Sequence, residues 1–428
     1  MIAGNAGRRK TIILNNLLLC CFAIWPFWWN VWGVFRITAS IGTMVPLYTL
    51  WILTALMVLI SRRIKGSFLY IWFLFLGVIA MESLSRPRAV IYDLSVILCG
   101  VLVCILMMQR KADYELILKG LYIIGIVVSL SVILDSAFGL FREGLINLYT
   151  EASGDVKRRL TATGGLLPHT ASAGCYIYSG LVAYIANTRL KQKRWNWASR
   201  WITLLIFGAG ALLIQKRGFI ADTAITVAVI AILSVKKENL EKIHIQKLIK
   251  GIFSFLVIAI VLVIIYNKVP LIQDALDSLV ERFATEDETL SGRTELYELA
   301  FSLYRGHTFT GIGWGRYRLN TVGFFGLADV SYAVHSVYIQ LLCETGIFGL
   351  VTFLLAVTSS LVYGMGKYRK IIKTDAHVPE KYIIEMGIAI QIFFLAYCAS
   401  GNPLYDYNFC ITYFIGIMLT LIPLEKGA

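Results

Sequence analysis

A long run of apolar residues that begins at a histidine sets the class of this protein: residues 335–364 read HSVYIQLLCETGIFGLVTFLLAVTSSLVYG. A helix needs about 17 to 25 residues, most of them apolar, to cross the hydrocarbon core of a bilayer. Because no water is present there to satisfy backbone groups, such a block must be helical. This run therefore predicts a membrane-spanning helix.

Blocks of the same kind recur along the chain, and its composition is that of a membrane protein. Of 428 residues, 58% are hydrophobic and only 15% are charged, and the mean hydropathy of +0.71 lies far above that of a soluble protein. We predict an all-α polytopic membrane protein with about twelve spans. They are 11–33, 41–61, 67–84, 89–109, 115–139, 171–188, 200–215, 218–235, 250–267, 335–364, 383–400 and 408–424. No small-residue cleavage site follows the first block, so we expect a retained helix rather than a signal peptide.

The spans divide the chain into three predicted parts. The N-terminal helices occupy 1–267 and include an external loop at 140–170, a large polar loop occupies 268–334, and the C-terminal helices occupy 335–428.

Part of the large loop has the spacing of an amphipathic helix. Residues 277–305 read DSLVERFATEDETLSGRTELYELAFSLYR, with Thr289 or Ser291 as a possible N-cap. One face carries Leu296, Leu299, Ala300 and Leu303. We expect this helix to lie at the membrane interface and to roof a cavity.

The net charge of +14 follows from topology rather than from binding to nucleic acid. When alternate loops are assigned to the two sides, most Lys and Arg residues fall on one face. The positive-inside rule makes that face cytoplasmic, together with both termini. The large loop is the exception, because it faces outward and still contains Lys268, Arg282, Arg293, Arg305, Arg316 and Arg318.

Several kinds of site are missing from the sequence. The eight cysteines fall within apolar spans and not at metal-ligand spacing, so we interpret them as structural thiols. There is no Asp-x-Asp pair in an external loop, no Walker loop and no Rossmann glycine pattern. We therefore predict no metal, no cofactor and no soluble nucleotide donor, and we expect a donor that is carried in the bilayer.

Three residues are the main candidates for chemistry at the outer face. Arg217 ends a predicted helix there, and it is either an interfacial anchor or a guanidinium directed at phosphate. Arg293 is either a solvated charge or a second phosphate contact. His335 is either structural or a base that takes a proton from an alcohol, with His169 and His307 as rivals.

The order of these motifs resembles the family of bacterial O-antigen ligases and Wzy-type polysaccharide polymerases. Arg217 lies in QKRG, Arg293 lies in SGRTELYELA, TGIGWGRY follows, and His335 opens HSVYIQLLCETGIFGL. In that family, an arginine closes a periplasmic helix end, a Gly-Arg pair opens the motif part of the large loop, and a Gly-x-Gly-x-Gly segment follows. A histidine then begins a stretch that ends in Glu-x-Gly-x-x-Gly, represented here by Glu344, Gly346 and Gly349.

A further element of the resemblance lies upstream, in RRLTATGGLLPHTASAG, with Arg159, Gly164 and Pro168. The chain also departs from the family's pattern. Thr308 replaces the proline that usually precedes the glycines, and Ser336 replaces an asparagine that often follows the histidine. Neither difference removes a titratable group.

The resemblance implies a GT-C-like, inverting glycosyltransferase that needs no metal or cofactor and acts at the outer face of the cytoplasmic membrane. Its donor would be an undecaprenyl-diphosphate-linked oligosaccharide. Arg217 and Arg293 would stabilise the leaving diphosphate, and His335 would deprotonate the acceptor hydroxyl. Arg159, Gly313, Gly315 and Glu344 would contact substrate.

The motifs do not identify the acceptor. We favour a polymerase, which joins lipid-linked repeat units of O-antigen, capsule or exopolysaccharide. The alternative is a ligase, which transfers the glycan to lipid A–core. The partners implied are the lipid-linked donor, the glycan acceptor, the bilayer, and assembly proteins such as a flippase and a chain-length regulator. A polysaccharide or lipid transporter is the hypothesis from another class, and it predicts internal repeats and charged, broken helices near the midplane.

Overall fold

The computed structural model describes most of the chain from residue 67 onward. The described ranges are 67–83, 87–109, 114–141, 163–167, 169–191, 197–234, 287–324, 331–373 and 380–422, with scattered residues in 13–23, 52–54 and 267–280. The α-helices are α1 (Tyr70–Ser83), α2 (Pro87–Gln109), α3 (Tyr114–Phe138), α4 (Thr170–Lys191), α5 (Trp197–Leu213), α6 (Arg217–Ser234), α7 (Asp287–Arg305), α8 (Tyr317–Asn320), α9 (Val337–Lys373), α10 (Glu380–Ser400) and α11 (Tyr407–Thr420). Short 3-10 helices occupy Ser67–Leu69 and Pro403–Tyr405. No strand occurs in these ranges, which confirms the all-α class.

The apolar helices identify an integral membrane protein. Helices α1 to α6 and α9 to α11 coincide with predicted spans. Among the described residues, α3, α9 and α10 are long and apolar enough to cross a membrane. The predicted spans at 11–33, 41–61 and 250–267 lie mostly outside the described residues, so the count of twelve stays a prediction. The division of the chain at 267 and 334 stays a prediction as well.

Helix α10 lies at the centre of the bundle, in contact with α4, α6, α9 and α11. Aromatic side chains fill the space around it. The ring of Tyr178 on α4 stacks on Phe393 of α10 with 4.0 Å between centroids, and Phe394 packs against Tyr413 of α11 at 4.3 Å. Such close aromatic pairs add to the dispersion contacts that hold membrane helices together.

The helices α3 and α4 cross closely, and this crossing depends on two glycines. A Cβ atom placed on Gly125 would lie 2.7 Å from the Cα of Gly180, and the reverse holds as well. Small residues let backbones approach closely in a bilayer, where no hydrophobic force draws helices together. This crossing fixes α4, whose first turn reaches the end of the bundle that contains the candidate site.

The bundle has two chemically different ends, which we call the loop end and the basic end. At the loop end α4, α6, α9 and α11 begin, and the hydroxyl of Ser172 on α4 donates to Asp406 before α11 at 2.9 Å. At the basic end Arg189 pairs with Glu385 at 3.0 Å, and the ammonium of Lys367 donates to the carbonyl of Thr420 at 2.9 Å. Arg189 and Lys367, which the positive-inside rule assigns to the cytoplasmic face, therefore lie opposite the loop end.

Two predicted helix boundaries are wrong. Arg217 does not end a helix but begins α6, because Gln215 takes a left-handed φ of 48° and ends the hydrogen-bond ladder of α5. Thr289 and Ser291 are not N-caps, because α7 already begins at Asp287 and both residues lie inside it.

Candidate functional site

The amphipathic helix predicted in the large loop is α7, and its apolar face is confirmed. Leu296 and Ala300 are buried, and Leu299 and Leu303 are partly buried against the same cluster. The cluster also contains Tyr317, Val334 and Cys343, so it joins α7 to α8, to the segment before His335 and to α9. The described part of the loop from α7 onward is thus packed and rests on the start of α9.

Helix α9 is broken at Gly346, where φ is 63° and ψ is −165°. The glycine-rich loop lies against this break. The amides of Ile312 and Gly313 donate to the carbonyls of Cys343 at 2.9 Å and Glu344 at 2.8 Å. On the other side of the break, the amide of Ile347 donates to the carbonyl of Thr308 at 3.0 Å. The loop therefore satisfies backbone groups that the break releases from the helix.

We call this contact between the glycine-rich loop and the break in α9 the interlock. Two glycines make the interlock sterically possible. A Cβ on Gly311, whose φ is 71°, would lie 2.3 Å from the backbone carbonyl carbon of Glu344. A Cβ on Gly346 would lie 2.2 Å from the carbonyl oxygen of Phe309. Any other residue at either position would have to adopt a left-handed conformation and displace the opposing backbone. Gly313 and Gly315, predicted to bind substrate, lie in the same loop with positive φ.

Trp314 anchors the loop to the helices. Its indole N–H donates to the carboxylate of Asp93 on α2 at 2.8 Å, and its ring stacks on Tyr405 with 4.8 Å between centroids. The hydroxyl of Tyr407 donates to the other oxygen of Asp93 at 3.3 Å. Because the indole is only 2% exposed, the loop is held against α2 and against the segment between α10 and α11.

Glu344, predicted to contact substrate, is fully buried beneath the loop. Its carboxylate accepts from the hydroxyl of Tyr405 at 2.8 Å, from the amide of Gln340 at 3.1 Å and from the backbone N–H of Tyr317 at 3.2 Å. Burial raises the pKa of the Tyr405 phenol above its ordinary value, with the Glu344 charge as a further cause, so this phenol remains a donor. These contacts suit a residue that positions the loop better than one that touches substrate.

His335 is held in an unusual conformation directly before α9. Its φ is 61°, a left-handed value that costs a non-glycine residue about 1–2 kcal/mol. Ala333 and Val334 before it and Ser336 and Val337 after it are buried, whereas His335 itself is exposed. Buried neighbours on both sides therefore hold the imidazole at the surface of the loop end.

Cationic residues from two distant parts of the chain converge on Tyr397, near the end of α10. The ammonium of Lys216 lies 5.8 Å from the centroid of the Tyr397 ring. Arg293 of α7 is close enough for its positive charge to act on the same phenol. Arg217 is the residue after Lys216 and the first of α6, so both candidate arginines belong to segments that meet at Tyr397.

His335 belongs to the same region of the bundle. Tyr338, in the first turn of α9, donates its hydroxyl to the carbonyl of Leu395 at 2.9 Å, two residues from Tyr397. The rivals also lie at the loop end: His169 is exposed beside the first turn of α4, and His307 is exposed in the turn after α7. Arg159, the remaining predicted contact, lies outside the described residues.

Neither Tyr397 nor Asp222, whose charge acts on Tyr397, was assigned a role from the sequence. A tyrosine near the end of an apolar span carries no distinctive pattern. Asp222 offered a usable signal, because an ionisable residue in a membrane helix is a functional candidate in itself.

The segment that contains most of this site matches a known family. A family profile described as O-antigen ligase matches residues 202–354. Residues 202–354 are therefore similar to O-antigen ligases. The recognised resemblance to O-antigen ligases and Wzy-type polymerases is thereby confirmed. The match encloses Arg217, Arg293, His335 and Glu344 and stops before α10. No curated protein matches the chain.

Proposed function

We propose that this protein transfers a glycan from undecaprenyl diphosphate to an acceptor sugar hydroxyl at the outer face of the cytoplasmic membrane. The match to the O-antigen ligase profile supports glycosyl transfer with lipid-linked glycans. The observation that carries the site assignment is the convergence of the Lys216–Arg217 turn and Arg293 on Tyr397, beside the helix that His335 precedes.

The charges at the start of α6 suit an anion. The N-terminus of a helix carries a partial positive charge and unsatisfied amides, so Lys216 and Arg217 gain nothing from the α6 dipole. A diphosphate bound there would gain from the amides and from both cations. Arg293 would add charge from α7, and such preorganised cations stabilise a leaving diphosphate in a site of low dielectric.

The chemical step then requires one proton transfer. His335 takes the proton of the acceptor hydroxyl, whose oxygen attacks the anomeric carbon from the face opposite the diphosphate. The new C–O bond forms as the bond to the diphosphate oxygen breaks, the configuration inverts, and the electron pair leaves with the diphosphate. The diphosphate linkage supplies the free energy, so the step needs no nucleotide, and the arginines supply positive charge that a metal would otherwise provide.

The acceptor is either a second lipid-linked repeat unit or lipid A–core. The order of the motifs favours neither, and the matching profile is described as O-antigen ligase. Ligation is therefore as well supported as polymerisation, which we favoured from the sequence alone.

Purified protein in nanodiscs tests the proposal. The substrate is lipid-linked oligosaccharide extracted from the source strain, supplied alone or together with lipid A–core. Released undecaprenyl diphosphate with a ladder of longer glycans identifies a polymerase, and release only after addition of lipid A–core identifies a ligase. If neither condition releases undecaprenyl diphosphate, the transfer proposal is wrong and a transporter becomes the better hypothesis.

A matched pair of arginine variants tests the site in the same assay. Arg293→Gln is expected to lower turnover about 10²–10³-fold, as for other removed charge-stabilising donors. Arg305→Gln removes an exposed arginine from the end of the same helix and should leave turnover within about twofold, as a solvated charge predicts. Equal effects of the two changes would contradict the role of Arg293.

A further inference from the structure

Three polar side-chain atoms near Tyr397 have no hydrogen-bond partner among the described residues. In the part of the chain that the structure describes, Oδ2 of Asp222, Oγ of Ser400 and Oδ1 of Asn402 are buried without a hydrogen-bond partner. Asp222 is only 4% exposed. Buried polar atoms are almost always hydrogen-bonded, and an unpaired carboxylate is the most costly exception.

Asp222 and Ser400 lie on facing sides of the seam between α6 and α10, and Asn402 follows Ser400 by two residues. Oγ of Ser400 is 3.1 Å from the point that a Cβ on Gly218 would occupy. Asp222 is one helical turn after Gly218 and therefore on the same face of α6. Its charge acts on Tyr397 and Cys398 of α10, which shows that this face is turned towards α10. We call Asp222, Ser400 and Asn402 the polar notch.

The side chain of Asn402 is available to a ligand for a local reason. Asn402 is the N-cap residue of the 3-10 helix Pro403–Tyr405, but its side chain makes no capping hydrogen bond. The backbone carbonyl of Asn402 accepts from the amide of Tyr405 at 3.1 Å, as the carbonyl of an N-cap residue ordinarily does. The amide oxygen of Asn402 is thus left without the role that asparagine usually fills at this position.

The donors and acceptors of the polar notch define the ligand. The carboxylate of Asp222 and the amide oxygen of Asn402 accept hydrogen bonds, and the hydroxyl of Ser400 can donate or accept. A matching ligand must bring at least two donors, as adjacent hydroxyl groups of a sugar ring do. Lys216 is close enough for its charge to act on Asp222, and a second fixed cation beside that ammonium would be repelled. A polyhydroxyl ligand fits better than a metal ion.

We propose that the polar notch binds hydroxyl groups of the sugar joined directly to the diphosphate of the donor. This inference rests on the proposed function, because Lys216 and Arg293 near Tyr397 then hold the diphosphate. The first sugar is bonded directly to the diphosphate, so its hydroxyl groups lie no farther from the diphosphate than the width of one sugar ring. The polar notch borders the same tyrosine, so it is placed to select the donor by its first sugar.

Binding of the free oligosaccharide, released from the lipid-linked donor by mild acid, separates the polar notch from the transfer step. Saturation-transfer NMR would measure its affinity for the intact protein in nanodiscs. Asp222→Asn should weaken binding about tenfold or more, as loss of a hydrogen bond to a charged acceptor predicts. Gln391→Met removes another unpaired buried amide oxygen, that of Gln391, deeper on α10, and should bind as the wild type does.

Stability measurements distinguish a ligand contact from a structural residue. An unpaired buried carboxylate destabilises a fold, so Asp222→Asn should melt at the same temperature as the wild type or higher. If Asp222→Asn nevertheless fails to fold, Asn402→Ala decides the question, because it removes a second acceptor of the polar notch. It should also weaken binding about tenfold.

The results of these experiments distinguish failure of the sugar site from failure of the proposed glycan transfer. Wild-type protein that does not bind the oligosaccharide, or folded Asp222→Asn protein that binds it normally, overturns the polar notch. Normal turnover by the wild type in that case leaves glycan transfer intact. Wild-type protein that binds through the polar notch but releases no undecaprenyl diphosphate overturns the transfer and keeps the sugar site.

Discussion

The conformation of His335 is the strongest single-residue observation at the site. A left-handed φ in a residue other than glycine is uncommon and costs free energy, so the surrounding packing must impose it. Burial of the residues on both sides of His335 stabilises this strained conformation. The backbone held in this way presents the imidazole outward at the loop end, where a base can meet an acceptor hydroxyl.

Replacement of His335 tests whether the imidazole or only the backbone shape matters. We expect His335→Ala and His335→Asn each to lower turnover about 10²–10⁴-fold, the usual effect of losing a general base. Asparagine tolerates the left-handed conformation, so His335→Asn should keep the melting temperature of the wild type. His307→Ala, which removes an exposed histidine from the neighbouring turn, should retain turnover.

Recovery of activity in His335→Asn would assign a structural role to His335. It would also direct attention to His169 and His307 as candidate bases. Turnover and thermal melting of the same purified samples distinguish these outcomes.

At the scale of elements, the interlock between the glycine-rich loop and the break in α9 positions the site. The loop amides cap the half of α9 that follows His335, and the loop is held in turn by Trp314 and by the contacts of Glu344. A shift of the loop would therefore move the first turn of α9. Because Tyr338 in that turn is bonded to α10, the position of His335 relative to Tyr397 depends on the interlock.

Two glycines of α9 form a matched test of this coupling. Gly346→Ala would introduce backbone strain of about 1–3 kcal/mol, because only glycine readily combines a positive φ with an extended ψ. It would also place a Cβ 2.2 Å from the carbonyl oxygen of Phe309. We expect a lower melting temperature and a loss of turnover. Gly366→Ala lies in the same helix with nothing within 4 Å of its added Cβ, so it should be neutral or stabilise the helix by up to about 1 kcal/mol. Normal activity in a destabilised Gly346→Ala protein would contradict the coupling.

The sequence predicted elements far better than it predicted their breaks. Hydropathy located α9 from 335 onward, because apolar composition alone defines a membrane helix. It gave no sign of the break at Gly346, since a change of backbone conformation leaves the hydropathy of the segment unchanged. The Glu344-x-Gly346-x-x-Gly349 motif marked the right residues, but only the opposing carbonyl of Phe309 explains why glycine is needed there.

At the scale of the whole molecule, the candidate site and the contacts of Arg189 and Lys367 lie at opposite ends of the bundle. The loop end collects His335, Tyr397 and the polar notch, whereas the basic end contains the Arg189–Glu385 pair and the contacts of Lys367. Charge patterning predicted this separation, because positive residues report on the side of the membrane that a loop occupies. The convergence on Tyr397 was beyond sequence patterns, since Lys216, Arg293 and Tyr397 come from three helices or turns that only the packing of the bundle brings together.

The division between the ends leads to a prediction of topology. If the loop end faces outward, as a donor presented at the outer leaflet requires, a cysteine in place of Arg305 should react with a membrane-impermeant maleimide on intact cells. A cysteine in place of Lys373, exposed at the opposite end of α9, should react only after the membrane is permeabilised. The native cysteines that the structure describes are buried or half-buried, so the wild-type protein should give little background signal. The reverse pattern would place Tyr397 and the polar notch on the cytoplasmic side, away from the donor, and the transfer proposed here would fail with it.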